Sequence, residues 1–185
     1  MPAFTAPPLA IVVALLVVLS IASYFDIKSR RIPNWVSLSG IAVGAVLHVI
    51  LDPVWPGLRF SLAGLALGFG AYFALYAIHA MGAGDVKLMG AAGAMLGWSN
   101  WVGLFLVTAI LGGAAAIALV VSRRRLKKTL WNVGFVISEM KSGRPAYLTN
   151  EELDVRSTKS LGLPHGAVIA ASAAVFIAMS WKFTA

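Results

Sequence analysis

Residues 88–122 read LMGAAGAMLGWSNWVGLFLVTAILGGAAAIALVVS, and none of these 35 positions is Asp, Glu, Lys or Arg. A helix on the surface of a soluble domain keeps a polar face, whereas about 20 consecutive apolar residues are what spans roughly 30 Å of hydrocarbon. The run is too long for one crossing. Gly97-Trp98-Ser99-Asn100 is the natural break, giving a short fourth helix and a fifth that ends at Arg123.

The same pattern extends outward in both directions. Blocks 1–25, 32–51, 60–84 and 160–181 are also free of charged residues, and only 12% of the 185-residue chain is charged. Soluble domains average about 25%. In lipid every backbone polar group must be satisfied within its own segment, so uncharged blocks of this length fold as helices. The expected fold is an all-α polytopic membrane protein forming a single domain over residues 1–185. Nucleic-acid binding, a soluble two-layer enzyme and a disordered tail are disfavoured together.

Charge position sets the direction of the helices. The Lys and Arg residues cluster at Lys28, Arg30 and Arg31, at Lys87, and from Arg123 to Lys159, with Arg59 and Lys182 apart from them. Basic loops are retained in the cytoplasm. No Lys or Arg precedes Lys28, so the first segment lacks the basic start of a secretory signal and reads as a retained helix with its N-terminus outside. Six helices follow, at about 9–25, 35–51, 60–80, the two parts of 88–122, and 164–181. Asp52-Pro53 and Pro56-Gly57 are read as an external turn. Both chain ends fall outside, and the 123–160 segment is cytoplasmic. Within that segment Leu126, Leu130, Val133, Ile137 and Met140 share a helical face, with Lys127, Lys128 and Glu139 off it and Trp131 and Phe135 breaking the pattern. This predicts an amphipathic helix on the membrane surface. Ser142-Gly143-Arg144-Pro145 and Asn150-Glu151-Glu152 read as loop and cap signals.

There is no cysteine, which removes disulfides, thiol nucleophiles and Cys-based metal sites. His48, His79 and His165 have no ligand spacing, so no metal or cofactor is expected. What remains for chemistry is two carboxylates. Asp26 follows Ser23-Tyr24-Phe25, and Asp85 stands in Met81-Gly82-Ala83-Gly84-Asp85-Val86-Lys87. Two crossings lie between them, which returns Asp85 to the side and depth of Asp26. The plain alternatives are that Asp26 pairs with Lys28 or Arg30 and that Asp85 caps a helix beginning at Val86. Gly82 and Gly84 leave space beside Asp85 for a tight turn or another backbone, and carboxylates at a low-dielectric border are functional candidates. Two such groups close together hold one proton between them. The ionised member can then take a proton from water while the other donates to a carbonyl oxygen, with no metal or nucleophilic side chain required.

Asp26 with Arg31-Ile32-Pro33-Asn34, then Gly82-Ala83-Gly84-Asp85-Val86-Lys87, then Leu163-Pro164-His165-Gly166-Ala167 resemble, in order, the three motifs of the type IV prepilin peptidases, which are intramembrane aspartyl proteases of the GxGD type. The resemblance covers about residues 9–180. It implies that Asp26 and Asp85 are the catalytic pair and that Gly82 and Gly84 position the second. Arg31, Pro33, Asn34 and Lys87 match motif positions; Lys87 is close enough in sequence to bias the pair's ionisation, and Pro33-Asn34 suits a turn opening the second helix. The implied substrate is a prepilin, a basic leader followed by a hydrophobic helix, cut at the cytoplasmic border of the bacterial inner membrane. Paired Cys-x-x-Cys motifs and a Gly-rich nucleotide loop are absent, so methyltransferase activity is not expected, and the compact form resembles the peptidases of tight-adherence (Flp) pilus systems. His165 departs from the aromatic residue more usual at that position.

The remaining features read as architecture. Gly40-x3-Gly44, Gly64-x3-Gly68 and Gly93-x3-Gly97 suit close helix packing, and Trp35, Trp55, Trp98, Trp101 and Trp181 suit an aromatic belt. His79 is near enough to Asp85 in sequence to be considered, and Asp52 reads as an Asx-turn residue on the outer face. A related protease with another precursor and a small transporter using the two carboxylates remain as competing readings. A transport path would need polar groups near mid-membrane.

Overall fold

The computed structural model describes residues 6–141 and 163–184, and all regular structure among them is helical. The order is α1 (Leu9–Ser29), α2 (Asn34–Leu51), α3 (Val54–Ala77), α4 (Ala83–Ser122), α5 (Leu126–Lys141) and α6 (His165–Thr184). Five of these, α1 to α4 and α6, are long and apolar enough to cross a membrane.

Helix α4 is not one rod. Gly97 has φ +71° and ψ 169°, outside helical space, and the indole Nε1 of Trp101 donates to the carbonyl of Met89 at 3.1 Å. Twelve residues of straight helix would separate those two by about 18 Å, so the chain doubles back at Gly97. Arms 83–96 and 98–122 therefore run antiparallel, and six apolar segments connect the two ends of the bundle. The break falls where the uncharged run calls for one.

The first arm is the centre of the molecule. Residues 88–97 are all buried, and α4 packs against α1, α2, α3 and α6. A helix that is apolar all round belongs either in lipid or in a protein core, and here it is the core. Shielded by its neighbours, this arm of about 21 Å can be shorter than a span. Its tightest crossing is with α3, where a Cβ on Gly64 would overlap the Gly93 carbonyl and the reverse holds for Gly93.

The helix ends correct several expectations. The first helix continues past residue 25 to Ser29, so Asp26 lies inside its last turn. The third begins at Val54 rather than near 60, leaving only Asp52 and Pro53 between α2 and α3. Pro56 is tolerated because the first four N–H groups of a helix have no intrahelical acceptor. Asp52 is not simply a turn former: its carboxylate lies 3.1 Å from Nδ1 of buried His48, whose Nε2 lies 2.9 Å from the Met95 carbonyl. That cluster closes the end of the bundle opposite Asp26 and Asp85. Helix α5 forms as expected, with Leu126, Leu130 and Val133 exposed along with Trp131, so Trp131 extends the outward apolar surface instead of spoiling it. The loop and cap signals of residues 142–145 and 150–152 lie outside the described residues.

Candidate active site

Asp26 is the inward-facing residue of the last turn of α1 and is 8% exposed. Of the neighbouring cations, Lys28 donates to the Tyr24 hydroxyl at 3.2 Å and lies over its ring. Asp26 Oδ2 accepts the backbone N–H of Gly166 at 2.8 Å, the second residue of α6. A helix N-terminus offers unpaired N–H groups and a favourable dipole to an anion, so α6 holds the α1 carboxylate in place. Space at 166 is tight: a Cβ there would stand 3.1 Å from Asp26 Oδ2 and 3.3 Å from Ile32, so the carboxylate would have to give by a few tenths of an ångström.

Asp85 is held by its own helix. Because α4 starts at Ala83, Asp85 is its third residue and not the cap preceding Val86. The cap is Gly82, whose backbone N–H donates to the Asp85 carboxylate. This is the acidic half of a capping box, in which the third residue reaches back to the N-cap N–H. Gly82 has ordinary extended angles, so its glycine serves space and not unusual backbone geometry. A Cβ at 82 would sit 3.2 Å from Asp85 Oδ2, and one at 84 would sit 3.3 Å from Ile32.

The two carboxylates come together as the crossing count requires. Asp26 and Asp85 are within electrostatic range of each other and line one cavity of about 450 Å³ with Arg30, Arg31, Ile32, Asn34, Gly82, Gly84 and Lys87. Pro33 is the N-cap of α2. The Lys87 ammonium donates to Asn34 Oδ1 at 2.9 Å, tying the start of α4 to the start of α2. Lys87 thus has a bridging role across the rim of this cavity, which its position in the motif did not suggest. Two carboxylates facing one cavity, each fixed by a helix N-terminus, are arranged for one to accept a proton from water and the other to donate one. Among the described residues no three His, Cys, Asp or Glu side chains are grouped to hold a metal ion.

With that geometry in view, comparison with known proteins is decisive. The type IV leader peptidase family matches residues 13–117, more than half of the chain. The chain belongs to this family. It is similar to the prepilin leader peptidase/N-methyltransferase of Neisseria gonorrhoeae, with 30% identity over 110 residues, which are 56% of this chain and 38% of that protein. The chain thus spans well under half the length of that relative. No solved structure gives a significant match.

Sequence reasoning did not single out Tyr72, which the fold brings beside the candidate site. Tyr72 of α3 is 2% exposed, and its hydroxyl lies 3.4 Å from Nε2 of His165. Both line a second cavity of about 600 Å³ that also contains Asp85. His165, expected to depart from the aromatic more usual at that position, is within electrostatic range of Asp26. Gly166 was visible only as part of the third motif. No local signal marks Tyr72, because one tyrosine in an apolar helix looks the same whether it faces lipid or a catalytic pair. His79 is in the loop between α3 and α4 with φ +61° and lines neither cavity.

Proposed function

We propose that this protein is a membrane aspartyl endopeptidase that removes the leader of type IV prepilins of the Flp class, using Asp26 and Asp85 to activate water. The convergence of these two carboxylates on one cavity, from helices separated by two crossings, is the observation that carries the reading. In the reaction the ionised carboxylate takes a proton from water as its oxygen bonds to the peptide carbonyl carbon. The protonated one donates to the substrate, the C–N bond breaks, and the leaving amine departs with a proton. The pair ends with one proton, as it began, and its titration belongs to both groups together.

Family membership and the gonococcal relative support a prepilin as substrate. A basic leader in the cytoplasm followed by an apolar helix in the bilayer would present its junction at the depth of Asp26 and Asp85. The basic clusters support a bacterial inner-membrane location with this site on the cytoplasmic side, and the outward apolar surface of α5 supports that helix lying along the same membrane face. Anionic lipid would offset the cationic rim that a basic leader meets.

Co-expression with a Flp-type prepilin, followed by mass measurement of the pilin, tests the proposal. The expected product has lost its leader and carries no added methyl group. An uncleaved prepilin at full enzyme expression would contradict the substrate assignment, and a mass increase of one methyl would contradict the restriction to cleavage.

A further inference from the structure

The connection between α1 and α2 is Arg30-Arg31-Ile32-Pro33. Arg30 caps α1 in the left-handed region, with φ 54° and ψ 28°, and its N–H donates to the Asp26 carbonyl at 2.9 Å. The helix therefore stops abruptly just before Ile32. A residue that precedes proline is confined to extended backbone angles, and Pro33 imposes that restriction on Ile32. Branching at Cβ leaves its side chain little χ1 freedom. Ile32 is thus a stiff side chain on a stiff stretch of backbone, partly buried and packed against the core.

Two helix N-termini meet this one side chain. A Cβ on Gly84 would stand 3.3 Å from Ile32 Cβ and 3.5 Å from both Cγ1 and Cδ1. A Cβ on Gly166 would stand 3.3 Å from the same Cδ1. Ile32 therefore fills space that side chains at 84 and 166 would otherwise take, and it lies against both backbones at once. These are the segments that hold the two acids. Gly166 donates its N–H to Asp26, and Gly84 lies between Asp85 and the Gly82 N–H that binds the Asp85 carboxylate. Ile32 also lines the cavity that Asp26 and Asp85 share.

We infer that Ile32 is a positioning residue for the two aspartates: a rigid apolar spacer between the N-termini of α4 and α6 that sets how far apart the Asp26 and Asp85 carboxylates stand. The inference rests on the peptidase reading above. Asp85 moves with the start of α4, and Asp26 follows the start of α6 through the Gly166 N–H. The gap between those two helix ends is therefore the gap between the acids. With a smaller side chain at 32 the ends close or water enters. A methyl added at 84 pushes Ile32 toward Gly166 and so toward Asp26. Interiors are close-packed, so even one methyl is felt by the neighbours. Proton transfer among the pair, water and a peptide carbonyl requires contacts of about 2.6–3.2 Å, so such displacements act on the chemical step. Ile32 itself exchanges no proton.

The test measures leader cleavage by the purified full chain in lipid nanodiscs, using the prepilin that the wild type cleaves, with Asp85→Asn as the reference for lost chemistry. Ile32→Val removes Cδ1 alone and is expected to lower kcat about threefold, and Ile32→Ala about thirtyfold. KM should stay within about twofold of wild type in both, as for an effect confined to the chemical step. Gly84→Ala adds one methyl where the nearest atoms are those of Ile32. It is expected to lower kcat about tenfold without lowering the thermal midpoint, because alanine is the better helix former. In the double variant Gly84→Ala/Ile32→Val, the methyl that reaches Gly166 is gone and the added one is no longer passed on to Asp26, so kcat should return to that of Ile32→Val. Independent effects would instead multiply to about thirtyfold. That product, a rise in KM in place of the fall in kcat, or a wild-type kcat for Ile32→Ala would overturn the spacer. Should Ile32→Ala fail to fold, the single-methyl variants carry the same decision. If Asp85→Asn cleaves as fast as wild type, the peptidase reading itself fails; inactive Asp85→Asn beside a multiplicative double variant refutes the spacer alone.

Discussion

At the scale of residues, the site depends on backbone N–H groups as much as on the two acids. Asp26 reaches across the bundle to Gly166, 140 residues away, while Asp85 is fixed by Gly82 three residues before it. The two are thus held by different means: Asp85 keeps its position wherever α4 starts at Ala83, but Asp26 depends on the docking of α6. Gly166→Ala is therefore expected to push the Asp26 carboxylate aside by a few tenths of an ångström and to lower kcat by roughly tenfold, since small misplacements of reacting groups are costly. The thermal midpoint should change little. Steady-state kinetics beside a melting curve checks this, and an unchanged kcat would show that α6 does not position the acid.

Among the elements, α4 decides the architecture and the turn at Gly97 decides α4. A left-handed φ costs a residue with a side chain about 1–2 kcal/mol, and a Cβ at this position would overlap the Phe60 ring. Gly97→Ala should therefore destabilise the protein by at least about 2 kcal/mol, read as a lowered unfolding midpoint in detergent; a wild-type midpoint would mean that the hairpin does not need this glycine. The existence of the hairpin was legible, because 35 uncharged residues exceed one crossing. Its place in the bundle was not. Periodicity separates one apolar face from a polar one, and the first arm has no polar face, so core and lipid environments give it the same sequence. Helix ends were read short for a related reason. Asp26 is the first charge after the uncharged block 1–25 but sits on the inward side of a helix that runs to Ser29, and Pro56 resembles a breaker although the first turn has no hydrogen bond for it to remove. Asp26 and Asp85 were legible because charge is rare here. Tyr72 was not, and Gly166 was visible only as a motif position, because their meaning comes from contacts across distant segments.

For the molecule as a whole, the closed end with His48 and Asp52 and the open end with two cavities make the bundle polar along its axis. In the proposed topology the basic clusters place the open end on the cytoplasmic side. The absence of native cysteine makes that orientation measurable with single introduced thiols. Lys127→Cys, in α5, should react with an impermeant maleimide only in inverted vesicles, and Trp55→Cys, in the first turn of α3, only in intact cells. The opposite labelling pattern would reverse the topology and remove the site from the leader side of its substrate.

The central claim is that Asp26 and Asp85 act as one catalytic unit. Leader cleavage by the purified wild type, Asp26→Asn and Asp85→Asn, followed by mass spectrometry under single-turnover conditions, tests it most directly. Each substitution is expected to abolish the cleaved product while leaving membrane insertion and thermal midpoint near wild type, because asparagine preserves shape and keeps an acceptor oxygen for the Gly166 or Gly82 N–H. Cleavage at the wild-type rate by either variant would contradict the account.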